Sequence, residues 1–133
     1  MSTHIATVIG ASGFIGQALV THLAAQGWAI NSPGRGAIWP DDTQDLGHVF
    51  YCAGLTADFL KHPHETAEAH IGLLSRVLRS SRFTSLVYLS STRVYDSMAA
   101  DQATSEEALI SLGAHVPRHL YDLTKLTGES LCH

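Results

Sequence analysis

The strongest constraint on the fold lies in the first sixteen residues. The apolar stretch His4–Ile9 is rich in β-branched residues and predicts a buried β-strand. It runs directly into three glycines spaced three residues apart, Gly10, Gly13 and Gly16, and then into a helical pattern of apolar residues. Strand, glycine turn (Gly10–Gly16) and helix in this order predict the first unit of a parallel sheet.

The spacing of the glycines also predicts a phosphate-binding turn. A helix N-terminus offers unpaired backbone N–H groups and the positive end of the helix dipole, so it attracts anions. In such a turn Gly10 allows the sharp bend, Gly13 allows phosphates to approach the backbone, and Gly16 allows close packing of the helix on the strand. The alternative is a tight turn that binds nothing.

Strands and helices alternate along the rest of the chain. This alternation predicts an α/β fold with a doubly wound parallel sheet of four to five strands, an abbreviated Rossmann-like arrangement. The first helix is expected to bury Ile15, Leu19, Val20 and Leu23 and to end at Gly27. Further elements are predicted as strands at Trp28–Ile30, His48–Ala53 and Ser85–Ser90, a long helix from Glu65, a short helical turn at Ser105, a helix at Leu120–Glu129 and a loop over 37–47.

Composition narrows the classes of function. The 133 residues carry a net charge of −4, and 45% of them are hydrophobic. The sequence has no basic stripe of the kind that binds nucleic acid. It has no apolar run approaching the roughly 20 residues of a membrane span, and no cleavable leader pattern. We therefore expect one domain over residues 1–133 that binds neither nucleic acid nor a membrane.

The thiols and imidazoles add two expectations. Cys52 and Cys132 are too few for a disulfide framework, and a reducing cytoplasm is the simplest compartment for the chain. His62 and His64 flank a proline, but no full ligand set surrounds them in the sequence. No metal site is expected.

The segment after the second predicted strand bears on the choice of cofactor. A dinucleotide site that prefers NAD usually has an acidic residue about 20 residues after the glycines, where it holds the ribose 2′-hydroxyl. Here the first carboxylate is Asp41, whereas Ser32 and Arg35 occupy the expected region. A hydroxyl and a guanidinium suit a 2′-phosphate better, which favours NADP over NAD. The alternative is that Arg35 is a solvated loop residue.

A second group of candidate residues lies towards the C-terminus. Tyr121 and Lys125 are four residues apart, so both project from one face of the predicted helix. A neighbouring ammonium group stabilises a phenolate, which makes Tyr121 a usable acid or base. Ser91 follows a predicted strand, at the edge where an open parallel sheet binds its ligands, and its hydroxyl can reach the same substrate oxygen. On spacing alone, an ordinary surface helix is the more common explanation.

Three ordered motifs together resemble a known family. The glycine turn, Ser90–Tyr95 and Tyr121–Glu129 resemble the extended short-chain dehydrogenases/reductases, and more narrowly the NAD-dependent epimerase/dehydratase group that acts on nucleotide sugars. The resemblance implies an NAD(P)-dependent oxidoreductase or epimerase. Its catalytic residues would be Tyr121 as the acid/base, Lys125 as the partner of the nicotinamide ribose and Ser91 as the group that orients the substrate. The implied cofactor-binding residues are Gly10, Ser12, Gly13, Phe14, Ile15 and Gly16 at the pyrophosphate, and Cys52, Ala53, Gly54 and Ser90 towards the nicotinamide, with Tyr121 and Lys125.

The chain departs from the family pattern in four places. The segment before His48 is short for the usual helix and strand, which affects the adenine pocket. His70 stands where the family often has Asn, so it either takes over that polar role or faces solvent. Thr92 stands where family dehydratases carry an acid, which argues against dehydratase chemistry. Family members also continue for a hundred or more residues beyond the position of His133, with a substrate-binding portion.

These departures leave two alternatives open. The chain is either an enzyme of this type or a non-catalytic dinucleotide-binding module, such as a redox-sensing regulator or a truncated remnant. The wide apolar face of the helix from Glu65 either packs within the domain or pairs with a second copy to form a homodimer.

Overall fold

A computed structural model describes residues 3–36, 43–80 and 82–133 of the chain. The described elements alternate between strands and helices, as the sequence predicts. In chain order they are β1 (Ile5–Ile9), α1 (Phe14–Ala25), β2 (Ala29–Asn31), β3 (His48–Tyr51), α2 (Pro63–Ala67), a π-helical turn (Glu68–Gly72), α3 (Leu73–Ser80), β4 (Ser85–Tyr88), a 3-10 turn (Thr92–Tyr95) and α4 (His119–Cys132).

The four described strands form one parallel sheet in the order β2-β1-β3-β4. Ile9 pairs with Tyr51, and Tyr51 pairs with Tyr88, so three strands end at the same level. The predicted α/β fold with a doubly wound parallel sheet is confirmed. Because the carboxyl ends of β1, β3 and β4 lie side by side, the segments that follow them meet at one edge of the sheet.

Two apolar clusters cover the two faces of the sheet. Ala6 and Val8 pack with Leu23 of α1 on one face. Residues of β1 and β3 that point the other way pack against α3, through Leu74 and Val77. Alternate residues of the central strands are therefore buried on opposite sides, as expected when helices flank a parallel sheet on both faces.

The first helix ends as predicted, and three of its four predicted apolar residues pack on the sheet. Gly27 follows α1 in the left-handed region, with φ +79°, which glycine adopts at low cost. The prediction that Ile15 faces the sheet is wrong, because its side chain is 56% exposed. The other three predicted residues make the contact, Leu23 buried and Leu19 and Val20 half-buried beside it.

Several predicted boundaries move by a few residues. The strands end at Tyr51 and Tyr88 rather than at Ala53 and Ser90. The long helix begins at Pro63, because proline is well suited to the first turn of a helix. Ser105 accepts a single turn hydrogen bond from the Ala108 N–H rather than starting a helix. Residues 37–42 of the predicted loop lie outside the described residues.

The long helix is interrupted by the π-helical turn, and this shifts its buried face. The sequence predicts an apolar stripe through Ala67, Ile71, Leu74 and Leu78, with Ala69, Leu73 and Val77 beside it. Leu74 and Val77 are indeed fully buried, but the other two fully buried residues, Thr66 and His70, lie outside the predicted face. A π-turn inserts one extra residue, which rotates the helix face that meets the sheet. No described helix has the length and apolar character needed to cross a membrane.

Candidate functional site

The fold itself requires two of the three glycines in the glycine turn. Gly10 has φ +81°, and a Cβ there would lie 2.6 Å from the Ala53 backbone nitrogen. A Cβ on Gly16 would overlap the Gly10 carbonyl oxygen. These two glycines therefore let β1, β3 and α1 approach one another closely.

Gly13 is not required by the fold in this way. Its φ of −77° and ψ of 170° are open to any residue, and a Cβ would meet only the Gly10 oxygen, at 3.4 Å. Gly13 is also the N-cap of α1, and no described side chain caps the helix there or places an acid in its first turn. The first N–H groups of α1 thus lack a side-chain partner. This is the geometry that a phosphate requires.

An open groove of about 1100 Å³ runs past this helix end. Three of the predicted groups of cofactor residues meet in it, although they are distant in sequence. They are Gly10, Ser12 and Gly13 from the glycine turn, Ser32 and Arg35 after β2, and Cys52, Ala53 and Gly54 after β3. His62, which precedes α2, also lines the groove, together with His64 and Glu65 of α2 and Glu68 and Ala69 of the π-turn.

Six predicted cofactor residues do not line this groove: Phe14, Ile15, Gly16, Ser90, Tyr121 and Lys125. The Phe14 side chain is 94% exposed, and Ile15 also points outwards, so these two residues offer only their backbone N–H groups. Gly16 is buried against Gly10. Ser90, predicted near the nicotinamide path, lies in a second cavity instead.

The described residues directly after β2, up to Gly36, place no carboxylate at the groove. Ser32 and Arg35 are both exposed and line the groove. Within the described part of the chain, Arg35 forms no ion pair. A guanidinium with no acidic partner can bind an anion such as a phosphate.

The second cavity has a volume of about 560 Å³ and lies beyond the end of β4. It is lined by Ser90, Ser91 and Thr92, together with residues of α4 such as Leu126 and Glu129. The Ser91 Oγ accepts a hydrogen bond of 3.2 Å from the Arg93 N–H and so caps the 3-10 turn. The Ser90 Oγ is buried with no hydrogen-bond partner among the described residues.

Tyr121 lines neither cavity. Its side chain is 2% exposed and packs against His70 and Phe59, with ring centroids 5.3 and 5.4 Å away. The Arg93 guanidinium covers the ring at 4.6 Å from its centroid, and its Nη1 donates a hydrogen bond to the Thr56 carbonyl. Tyr121 is therefore enclosed by aromatic rings and a cation.

Lys125 lies between the end of β4 and the groove. Its Nζ donates a hydrogen bond of 2.8 Å to the Leu89 carbonyl and lies 5.1 Å from the centre of the Tyr88 ring. A Cβ on Gly54 would approach this nitrogen to 3.3 Å, so the ammonium sits directly behind the groove wall. Burial lowers the pKa of Lys125 to about 8, because desolvation disfavours the charged form.

His70 is fully buried beside this lysine, so the expectation that it could face solvent is wrong. Its Nε2 accepts a hydrogen bond of 3.2 Å from the Leu55 N–H, and its Nδ1 lies 2.7 Å from the Thr124 Oγ. Burial, aided by the charge of Lys125, lowers the pKa of His70 to about 4. The imidazole is therefore neutral at physiological pH.

The burial of His70 could have been predicted from the spacing of its neighbours in the sequence. Thr66, His70 and Leu74 are spaced four residues apart, which places them on one face of a helix. Arg93, which covers Tyr121, had no comparable signal. Among the residues that the structure describes, His, Cys, Asp and Glu form no group of three that could hold a metal ion.

The fold and the glycine turn define a class of protein. A parallel α/β sheet whose first strand ends in such a turn, at an uncapped helix N-terminus, is a Rossmann-like domain. The profile of the NAD dependent epimerase/dehydratase family matches residues 6–133, and the chain belongs to this family. No curated protein matches the chain significantly.

Solved structures with the same fold include several bound to nicotinamide dinucleotides. "MoeE5 in complex with UDP-glucose and NAD" is 26% identical to this chain, with a TM-score of 0.68, and the match covers 96% of this chain and 48% of that one. RMD from Pseudomonas aeruginosa complexed with NADPH is 27% identical, with a TM-score of 0.69 and coverage of 95% and 48%. A short-chain dehydrogenase/reductase superfamily protein from Agrobacterium tumefaciens, 19% identical, shares the fold, with a TM-score of 0.65 over 96% of this chain and 44% of that one. This chain therefore spans about half the length of the solved structures it matches.

Proposed function

We propose that the chain binds a nicotinamide dinucleotide in the groove, with the diphosphate at the N-terminus of α1. The observation that carries this proposal is the pairing of Gly13 with an uncapped helix end. The fold does not need a glycine at this position, because an added Cβ would meet only one atom, at 3.4 Å. A bare backbone here serves a ligand that approaches from the groove.

The groove favours NADP over NAD. Ser32 and Arg35 lie where a Rossmann-like domain binds the adenosine ribose, and neither is acidic. An exposed guanidinium can form charge-assisted hydrogen bonds with a 2′-phosphate. The similar structures are divided on this point, since one holds NAD and another NADPH.

The proposed chemistry is proton transfer at a secondary alcohol or ketone. A bound nicotinamide would accept or return a hydride at the substrate carbon. Tyr121 takes up the hydroxyl proton, or returns it, at its phenol oxygen. Ser91, at the second cavity, hydrogen-bonds the same substrate oxygen. Because Arg93 covers the Tyr121 ring, the guanidinium must move aside when the substrate enters.

The proposed substrate is a nucleotide sugar or a related alcohol, and the reaction is an epimerisation or a reduction. The similarity to a protein solved with UDP-glucose supports this substrate class. Thr92 argues against a dehydratase, because family members of that type carry an acid at this position. The catalytic roles assigned to Tyr121, Lys125 and Ser91 are part of the same proposal.

Cofactor binding is tested by calorimetric titration of the chain with NADPH and NADH. We expect tighter binding of NADPH, and the Arg35→Ala variant should lose about tenfold in NADPH affinity while NADH affinity stays the same. Arg79→Ala, at an exposed arginine on α3, is the matched control. Binding of neither nucleotide would refute the proposal, and equal loss of both affinities in Arg35→Ala would refute the 2′-phosphate contact.

Turnover is tested with the Tyr121→Phe variant in a screen of nucleotide sugars and simple ketones. Removing the phenol oxygen should abolish turnover and leave cofactor affinity nearly intact, because Tyr121 does not line the groove. Wild-type activity in this variant would show that Tyr121 is not the acid/base.

A second candidate function is a dinucleotide-binding module without catalysis. The enclosed position of Tyr121, which is 2% exposed and lines neither cavity, favours it. Cofactor binding without turnover of any tested substrate would support this candidate over the enzyme.

Pairing of two copies through α2 and α3 remains a prediction, and sedimentation equilibrium would test it.

A further inference from the structure

We infer that His70 is a positioning residue for Tyr121 and Lys125, acting through Thr124. These four residues are called the His70 cluster below. The catalytic consequence of this inference rests on the proposed function, but the hydrogen-bond arrangement that it requires does not.

The hydrogen bonds around His70 have only one consistent polarity. The Leu55 N–H can only donate, so the His70 Nε2 that it contacts must be the unprotonated nitrogen. The proton of the neutral imidazole is therefore on Nδ1, which donates to the Thr124 Oγ. The Thr124 hydroxyl in turn donates to the Tyr121 carbonyl at 3.0 Å. The His70 ring and the Thr124 hydroxyl thus each donate one hydrogen bond and accept one.

The last hydrogen bond of this series reaches the backbone of α4, the helix that carries the proposed acid–base pair. Thr124 directly precedes Lys125, and its hydroxyl holds the carbonyl of Tyr121. The His70 ring also meets the Tyr121 ring edge to face. His70 thus holds Tyr121 in two ways, directly at its ring and indirectly, through Thr124, at its backbone carbonyl.

The π-helical turn brings His70 into this position. In a π-turn the regular ladder of backbone hydrogen bonds is disturbed. Two tyrosines of the sheet bond the carbonyls here, since the Tyr51 hydroxyl donates to the Ala69 oxygen at 2.6 Å and the Tyr88 hydroxyl to the His70 oxygen at 3.2 Å. The imidazole is therefore held from both its backbone and its ring nitrogens.

Gly54 places the same imidazole at the wall of the groove. A Cβ on Gly54 would lie 3.1 Å from the His70 Nε2 and 3.3 Å from the Lys125 Nζ. The adjacent Leu55 N–H is the donor to Nε2. His70 thereby links the loop that lines the cofactor groove to the helix that carries Tyr121.

The first test needs no variant. In protein labelled with ¹⁵N at histidine, long-range ¹H–¹⁵N spectra at pH 7 should show His70 protonated on Nδ1 and unprotonated on Nε2. A proton on Nε2 would overturn the inference.

The second test uses paired substitutions on α4. Thr124→Val keeps the shape of the side chain but removes both hydrogen bonds, so the Tyr121 ring and Lys125 side-chain resonances should shift. Thr127→Val is the matched control, because the Thr127 hydroxyl makes the same kind of bond to the carbonyl four residues earlier but is exposed. Unmoved resonances in Thr124→Val would contradict the role of His70.

The third test asks whether the hydrogen bonds or the ring of His70 matter. His70→Phe keeps a ring without nitrogens, whereas His70→Asn keeps a donor for Thr124 at the position of Nδ1 but lacks the ring. We expect His70→Phe to reduce kcat about 10- to 100-fold with KM little changed, and His70→Asn to recover most of the loss. Equal activity of a folded His70→Phe would overturn the inference. If the wild-type chain shows no turnover, the proposed function fails, while the two spectroscopic tests still decide the role of His70.

Discussion

The glycine turn and the His70 cluster are opposite kinds of site within one small domain. The glycine turn comes from seven consecutive residues, and it leaves the N–H groups of α1 open to the groove. The His70 cluster joins the π-turn to α4, and its imidazole and threonine hydroxyl are paired within the protein.

The difference between the open glycine turn and the closed His70 cluster suggests separate roles, one in binding and one in chemistry. An uncapped helix end can receive an anion without rearrangement, because its N–H groups are already fixed by the helix. The Tyr121 ring must first be uncovered, because Arg93 lies over it. Under the proposed function, the open site would set the affinity for a dinucleotide, and the closed cluster would set whether a bound molecule can react. The following predictions test this division, ordered by their expected effect on the free energy of unfolding.

The largest effect is expected from Gly10→Ala. The substitution adds the cost of a left-handed backbone, about 1–2 kcal/mol, to a backbone overlap with Ala53 that costs about as much again. Urea denaturation should show a loss of about 3 kcal/mol. Gly27→Ala is the matched control, because Gly27 has the same φ but open space around the added Cβ. Equal losses in the two variants would show that the close approach of β3 is not what requires Gly10.

A comparable effect is expected from protonation of His70. Its pKa is about 4 in the folded chain and about 6.5 when exposed, so between these values the unfolded chain binds more protons. The free energy of unfolding should therefore fall as the pH falls from 6.5 to 4, by up to about 3 kcal/mol, and this contribution should be constant above pH 6.5. Denaturation at several pH values measures it. The difference between wild type and His70→Asn isolates His70 from other groups, and identical pH profiles would contradict the prediction.

A smaller effect on stability is expected from Arg93→Ala. The lost contact between the guanidinium and the Tyr121 ring is worth about 0.5–1 kcal/mol at an exposed site. The variant should nevertheless make Tyr121 accessible to a tyrosine-modifying reagent, as read by mass spectrometry. Arg118→Ala is the control, because Arg118 precedes α4 and is exposed. An unmodified Tyr121 in the Arg93 variant would show that other residues enclose the ring.

The sequence predicted the glycine turn well because its determinants are local. A strand, three spaced glycines and a helix are adjacent in the chain, so their periodicity and spacing describe the structure directly. The parallel sheet followed from the alternation of elements for the same reason. Even here one local error arose, since Ile15 matches the helical period but points to solvent.

The His70 cluster could not be predicted as well because it depends on contacts between distant elements. His70 and Thr124 are 54 positions apart, and only the packing of α4 on the π-turn brings them together. The π-turn also breaks the helical period, so a stripe drawn with 3.6 residues per turn included Leu74 and Val77 but missed Thr66 and His70. The enclosure of the Tyr121 ring depends on the conformation of Arg93. This long side chain has many rotamers, so the sequence does not predict where its guanidinium lies.

The smallest effect on stability, and the sharpest test of the division, is expected from Gly13→Ala. The backbone at Gly13 suits alanine, so the cost should be about 0.5 kcal/mol, the difference between the two residues as a helix N-cap. The added methyl group nevertheless stands on the groove at the end of α1, where a diphosphate would rest against the backbone. We expect calorimetry to show NADPH affinity reduced by at least about tenfold, a loss of about 1.4 kcal/mol in binding. Gly27→Ala, at the opposite end of α1, should lose stability and keep its affinity. Gly13→Ala should therefore mainly lower NADPH affinity, and Gly27→Ala should mainly lower stability. If Gly13→Ala binds NADPH like the wild type, the open end of α1 is not the phosphate site.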